Sequence, residues 1–145
     1  MAKEIYFDDI NIGDAMPALV KDPVVKVQLV KYAGASGDFN LLHTDPEIGK
    51  AVGIGGIIAH GMLIMGFVGQ AITDWIPKKY LRKFGVRFVG MTRPGDVVKV
   101  TGTVTDKKEA GSDKVIVCDV TAKNQQGAVL VSGSFEAALP TRGLY

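Results

Sequence analysis

AVGIGGIIAHGMLIMGFVGQAITDW, residues 51–75, is the stretch whose reading decides the fold. It carries no charged side chain before Asp74, and its only imidazole is His60. A run of ~20 apolar residues is long enough to cross a bilayer, so a membrane span has to be weighed first. Gly53, Gly55 and Gly56 interrupt the first third and leave a predicted helix over residues 57–75. A helix apolar on every side is surrounded by lipid or by protein. The strand-like patterning of the rest of the chain favours protein. The fold then needs a sheet large enough to cover one long helix, and the second half of the chain supplies it.

The 145 residues fit one domain, 1–145, able to bury roughly 70 % of its unfolded surface. An apolar content of 47 % with 22 % charged residues excludes a disordered chain. The net charge of +2, with no basic run among aromatic residues, gives no reason to expect a nucleic-acid partner. Cys118 is the only cysteine, so no internal disulfide can form and a reducing compartment fits. The opening MAKEIYFDDI has acids where a signal peptide needs its apolar run, so a cytoplasmic protein with no membrane partner is expected.

Along the chain, Ile10 to Asp14 reads as a turn-bearing entry. Residues 24–29 (VVKVQL) read as a short strand after Pro23, and residues 28–35 as a helical turn or two with Leu29, Tyr32 and Ala33 on one side. Thr44 or Asp45 caps a short helix with Pro46 in its first turn, ended by Gly53. After Pro77, four strands are predicted over 84–89, 96–104, 115–122 and 128–139. Turn residues at 93–95, 111–113 and 125–127 separate them. Short links between consecutive strands imply an antiparallel meander. The fold class is therefore α+β, a long central apolar helix wrapped by an antiparallel sheet.

The chemistry candidate is Ser36-Gly37-Asp38-Phe39-Asn40-Leu41-Leu42-His43. Five positions apart, Asp38 and His43 would lie ~140° apart on a helix and on opposite faces of a strand. They converge only on an irregular backbone, which Gly37 and Asn40 permit. A carboxylate and an imidazole meeting there can hold one water and move its protons. The alternative is a turn-capping Asp38 and a structurally satisfied His43.

The segment from Tyr32 through Ser36, Gly37, Asp38, Asn40 and His43, followed by Ala59-His60-Gly61-Met62, resembles the hydratase motif of the MaoC-like family. That family comprises (R)-specific enoyl-CoA hydratases and the dehydratases of fatty-acid synthesis. Leu41 stands where the family's G-D-x-N-P-x-H loop usually has proline. The resemblance implies a hot-dog fold and a homodimer or higher homo-oligomer whose sheets join edge to edge. It implies reversible hydration of a trans-2-enoyl thioester, of coenzyme A or acyl carrier protein, to the (3R)-3-hydroxyacyl thioester. Asp38 and His43 would hold the catalytic water, and the backbone N–H of Gly61 would contribute to the oxyanion hole. Ser36, Gly37 and Asn40 would support the loop. This chemistry calls for no metal and no redox cofactor.

Other features carry less. His60, the only other histidine, is read as structural at the start of the helix. Gly53-Ile54-Gly55-Gly56 fails as a dinucleotide loop, because Ile58 occupies the last glycine's place. Residues 34–38 miss a nucleophile elbow, with Asp38 where the second glycine belongs. An Asp and a His with no further His or Cys close in the motif argue against zinc. Lys78, Lys79, Arg82 and Lys83 are candidate contacts for coenzyme A phosphates or an acidic carrier, or else a solvated cluster behind a helix. Met62 and Met65 are read as core, with an acyl tunnel as the alternative. A hot-dog thioesterase and one subunit of a heterodimeric dehydratase are the rival functions.

Overall fold

The computed structural model describes residues 3–143. The ends of the expected 1–145 domain, residues 1–2 and 144–145, lie outside the described residues. The elements run β1 (Ala15–Val20), α1 (Lys26–Ser36), α2 (Pro46–Ala51), α3 (Gly61–Trp75), β2 (Leu81–Phe88), β3 (Lys99–Ala110), β4 (Asp113–Lys123) and β5 (Val129–Ala138). The strands form one antiparallel sheet in the order β1-β3-β4-β5-β2. The α+β expectation holds. Only β3, β4 and β5 form a meander, because β2 crosses to pair with β5 at the far edge. The link over residues 89–98 is long enough to make that crossing.

The central helix buries Ile64, Phe67, Val68, Ala71 and Ile72. That i, i+3, i+4, i+7, i+8 spacing marks one face of a helix. The face packs on sheet side chains that include Val100, Cys118, Val120, Leu130 and Phe135, in one apolar cluster. Uniform hydropathy hid this one-sidedness. Met62, Gly66, Gln70 and Asp74 lie on the opposite, exposed face, so the chain alone does not wrap the helix. Met62, 56 % exposed, is not core. Among the described residues no helix is long and apolar enough to cross a membrane.

The helix also starts later than residue 57. Residues 57–60 form no helix, because their backbone is committed elsewhere: the Ile58 N–H donates to Leu42 O at 3.0 Å and the Ala59 N–H to Thr92 O at 2.7 Å. Two further expectations fail near the N-terminus. Residues 24–29 are not a strand: Val25 caps α1, which begins at Lys26 and buries Leu29 and Ala33. The first strand is instead β1, whose ladder to β3 is broken between Met16 and Leu19. Pro17 sits in that gap, where an edge strand tolerates a residue without an N–H.

Candidate active site

Each bend of the loop after α1 has a local cause. Gly37 ends α1 in the left-handed region at φ 76°, and its N–H donates to Ala33 O. The Ser36 hydroxyl donates to Tyr32 O at 2.7 Å and accepts from the Asp38 N–H at 3.2 Å. Asp38 Oδ1 accepts from the Asn40 N–H at 3.2 Å, and Asn40 Oδ1 from the Leu42 N–H at 3.0 Å. The second of these caps a 3-10 turn over Leu41–His43. Ser36, Gly37 and Asn40 thus sit in a ladder of short-range bonds around Asp38. Leu41 takes the first position of the turn, where a proline would also fit. The turn forms with leucine there.

This ladder uses one oxygen of Asp38 and leaves the other facing His43. Asp38 Oδ2 lies 3.7 Å from His43 Nε2, too far for a direct hydrogen bond. His43 is 9 % exposed, and its Nδ1 is 2.8 Å from Ile58 O. A carbonyl only accepts, so Nδ1 carries a proton, and in its neutral form the ring turns the Nε2 lone pair toward Asp38. Two acceptors therefore face one another across a gap that a bridging water can close. Such a water donates one hydrogen to the carboxylate and the other to the imidazole.

The start of α3 completes the site. Gly61 is its first residue, and the cap His60 contributes no side-chain bond to the helix. The Gly61 N–H has no protein acceptor among the described residues. A free donor at the positive end of a helix is suited to developing negative charge. A Cβ at Gly61 would lie 3.1 Å from the Phe88 ring, which is half-exposed at the end of β2.

His60 does occupy the helix start, but it is also a near neighbour of the pair, which spacing along the chain did not reveal. Its Nε2 is 3.1 Å from Asp38 O, so Nε2 carries the proton. Its ring stacks on His43 with centroids 3.8 Å apart and planes 25° apart, and Tyr32 meets it edge-on at 4.8 Å. The premise that no second histidine lies near Asp38 and His43 is thus corrected. Donor atoms of Asp38, His43 and His60 fall within 4.8 Å of one another. Imidazole lone pairs lie in the ring plane, however, and these planes do not meet within the ~2.1 Å of a Zn–N bond from each ring. Stacked as they are, the rings do not form a metal cage.

Lys78, Lys79, Arg82 and Lys83 lie beyond the other end of α3, a helix ~22 Å long. Lys79 Nζ is 3.9 Å from Glu4 Oε2, and the Arg82 guanidinium donates to Lys79 O at 2.8 Å. The chain does not bring this cluster to Asp38 and His43.

A family model described as the MaoC-like domain matches residues 10–126. The chain belongs to the MaoC-like family. It is 28 % identical to an (R)-specific enoyl-CoA hydratase of Rhodospirillum rubrum, over 95 % of this chain and 94 % of that one. It is 32 % identical to a peroxisomal hydratase-dehydrogenase-epimerase of Neurospora crassa, over 81 % of this chain but only 12 % of that much longer protein. The solved structure of an (R)-hydratase from A. caviae, involved in PHA biosynthesis, superposes with a TM-score of 0.80 at 25 % identity. That match covers 91 % of this chain and 98 % of the other. The MaoC-like chain thus has the hot-dog arrangement that the motif resemblance implied.

Proposed function

We propose that this MaoC-like chain is an (R)-specific enoyl thioester hydratase and dehydratase, a hydro-lyase acting without metal or redox cofactor. One observation carries the reading: two acceptors, Asp38 Oδ2 and His43 Nε2, face each other 3.7 Å apart against the ring of His60, and the Gly61 N–H that follows His60 has no protein acceptor among the described residues. In the hydration direction a water held by the pair adds its oxygen to C3 of the trans-2-enoyl thioester. One water proton is taken up by the pair. Electrons of the C2–C3 double bond pass to the thioester oxygen as an enolate, which the Gly61 N–H stabilises. A proton from the pair then reaches C2, and water has been added across the double bond. The (3R) product is assigned by kinship with hydratases named for that stereochemistry.

The same proposal takes residues 1–145 as one hot-dog domain that works in the cytoplasm as a homodimer. The exposed face of α3 and the unpaired edges of β1 and β2 support an assembly in which a second copy covers what this chain leaves bare. The thioester is carried by coenzyme A or an acyl carrier protein, with Lys78, Lys79, Arg82 and Lys83 as contacts for its phosphates. Neutralising those four should raise KM and spare kcat.

The decisive assay follows loss of the conjugated enoyl absorbance of crotonyl-CoA and longer enoyl-CoA esters, with chiral analysis of the product. Formation of the (3R)-hydroxyacyl ester supports the reading. Release of free thiol without hydration would replace it with a thioesterase. Light scattering that finds an active monomer would remove the dimer.

A further inference from the structure

His60 is the one buried polar side chain of the site to which the hydration chemistry assigns no task. It is 2 % exposed and joins two parts of the chain that are distant in sequence, the 38–43 loop and the start of α3. Its Nε2–H holds the backbone oxygen of Asp38, its ring lies against that of His43, and the next residue is Gly61. Its other nitrogen, Nδ1, is buried without a partner among the described residues. A buried polar atom left unpaired is a standing cost, usually kept for a reason.

We propose that His60 is a positioning residue for the reaction, a neutral imidazole that holds the Asp38–His43 pair in register with the N–H of Gly61. The inference rests on the proposed hydration. Through Asp38 O, the clamp fixes the carbonyl of the residue whose carboxylate grips the water. Through the stacked ring, it fixes the plane in which the His43 lone pair lies. Because His60 also caps α3, the water site and the enolate donor share one rigid part.

The clamp works only while His60 is neutral. Protonation would place a second N–H at the buried Nδ1, which has no acceptor there, beside the positive end of α3. It would also set a cation against the His43 ring. Tyr32 from α1, with Asp38 and His43 from the loop, are the titratable groups that face His60. Burial is the largest influence and holds the His60 imidazole below its usual range; His43 adds to this, against the pull of the Asp38 backbone oxygen and carboxylate.

Two measurements test this independently. Nitrogen-15 spectra of the histidine rings in the wild-type protein should show His60 protonated at Nε2 and His43 at Nδ1. His60 should stay neutral as pH is lowered through the ordinary imidazole range. A His60 protonated at Nδ1, or one that takes up a second proton within that range, overturns the proposal even if the enzyme is active. The kinetic arm compares His60→Gln, whose amide N–H can reach the former Nε2 position, with His60→Asn, whose amide falls short. His60→Asn should lose ~10²-fold in kcat with KM little changed, the scale of a small misplacement of reacting groups. His60→Gln should recover most of that loss. Equal kcat in the two variants, whether both are high or both low, overturns the positioning role. If the wild-type protein does not hydrate enoyl-CoA, the functional reading fails, and the spectra still decide whether the clamp exists.

Discussion

Gly61→Ala tests the helix-start donor most sharply, because its effects on stability and on rate have separate sources. In a helix interior alanine is favoured over glycine by ~1 kcal/mol, and less is expected at the first position. Against this, the new Cβ lies 3.1 Å from two atoms of the Phe88 ring. That is a few tenths of an ångström too close, but Phe88 is 49 % exposed and ends its strand, so the ring can give. The two effects nearly cancel, and thermal stability should move little. The rate should not be spared, because a methyl beside the N–H crowds an approaching thioester oxygen. Loss of an oxyanion donor costs ~10²–10³ in kcat, and partial displacement should approach ~10². Steady-state kinetics on crotonyl-CoA with thermal melts give both numbers. The double variant Gly61→Ala/Phe88→Ala separates the causes: recovery would blame the displaced ring, persistent loss the crowded oxygen. A folded Gly61→Ala enzyme with wild-type kcat would refute the assignment of Gly61 to the oxyanion hole.

Asp38→Asn and His43→Ala should each lower kcat by at least ~10² while the protein stays folded by circular dichroism, since the first removes the carboxylate and the second the imidazole that together grip the water and move its protons. Gly49→Ala should destabilise by ~1–3 kcal/mol in denaturant unfolding, because a Cβ on α2 would stand 1.9 Å from the backbone oxygen of Gly56; unchanged stability would mean that the 53–56 loop yields freely. Burial pushes the Cys118 thiol up to about 12 from an ordinary 9.0. The folded state therefore holds this proton more tightly, so the contribution to stability is complete below pH ~9 and is lost as pH rises towards the folded value. Cys118→Ala should flatten that alkaline decline, and native Cys118 should resist alkylation until denaturant is added; ready alkylation of the native protein would contradict its burial.

What could be read from the sequence was what is local. The stop at Gly53, the cap at Asp45 with Pro46, and the bend at Gly37 all follow from side chains acting within a few residues. The Asp38–His43 pairing was also legible, because only an irregular loop lets residues five apart meet. Residues 24–29 misled because VVKVQL alternates as a strand does, while Leu29 and Ala33 needed the sheet beneath them to reveal a helix. The strand at 15–20 was hidden by Pro17, tolerable only at an interrupted edge. His60 lies 22 positions from the Asp38 oxygen it holds, and nothing along the chain between them encodes that contact. The crossing of β2 to β5 is likewise a choice made by the assembled core.

The groups proposed to handle the water and the enolate, with those that support them, lie within residues 36–61, carried by the end of α1, the 3-10 turn and the run into α3. No sheet strand supplies a group that handles the water or the enolate. The sheet is tied by long antiparallel ladders, whereas this segment is held mainly by turn bonds and a few apolar side chains such as Ile57 and Ala59. Cooperative units of a protein open separately when their ties differ this much. Heat should therefore silence the enzyme before it melts it: activity lost on warming, and regained on cooling, while the far-ultraviolet signal of the sheet is still intact.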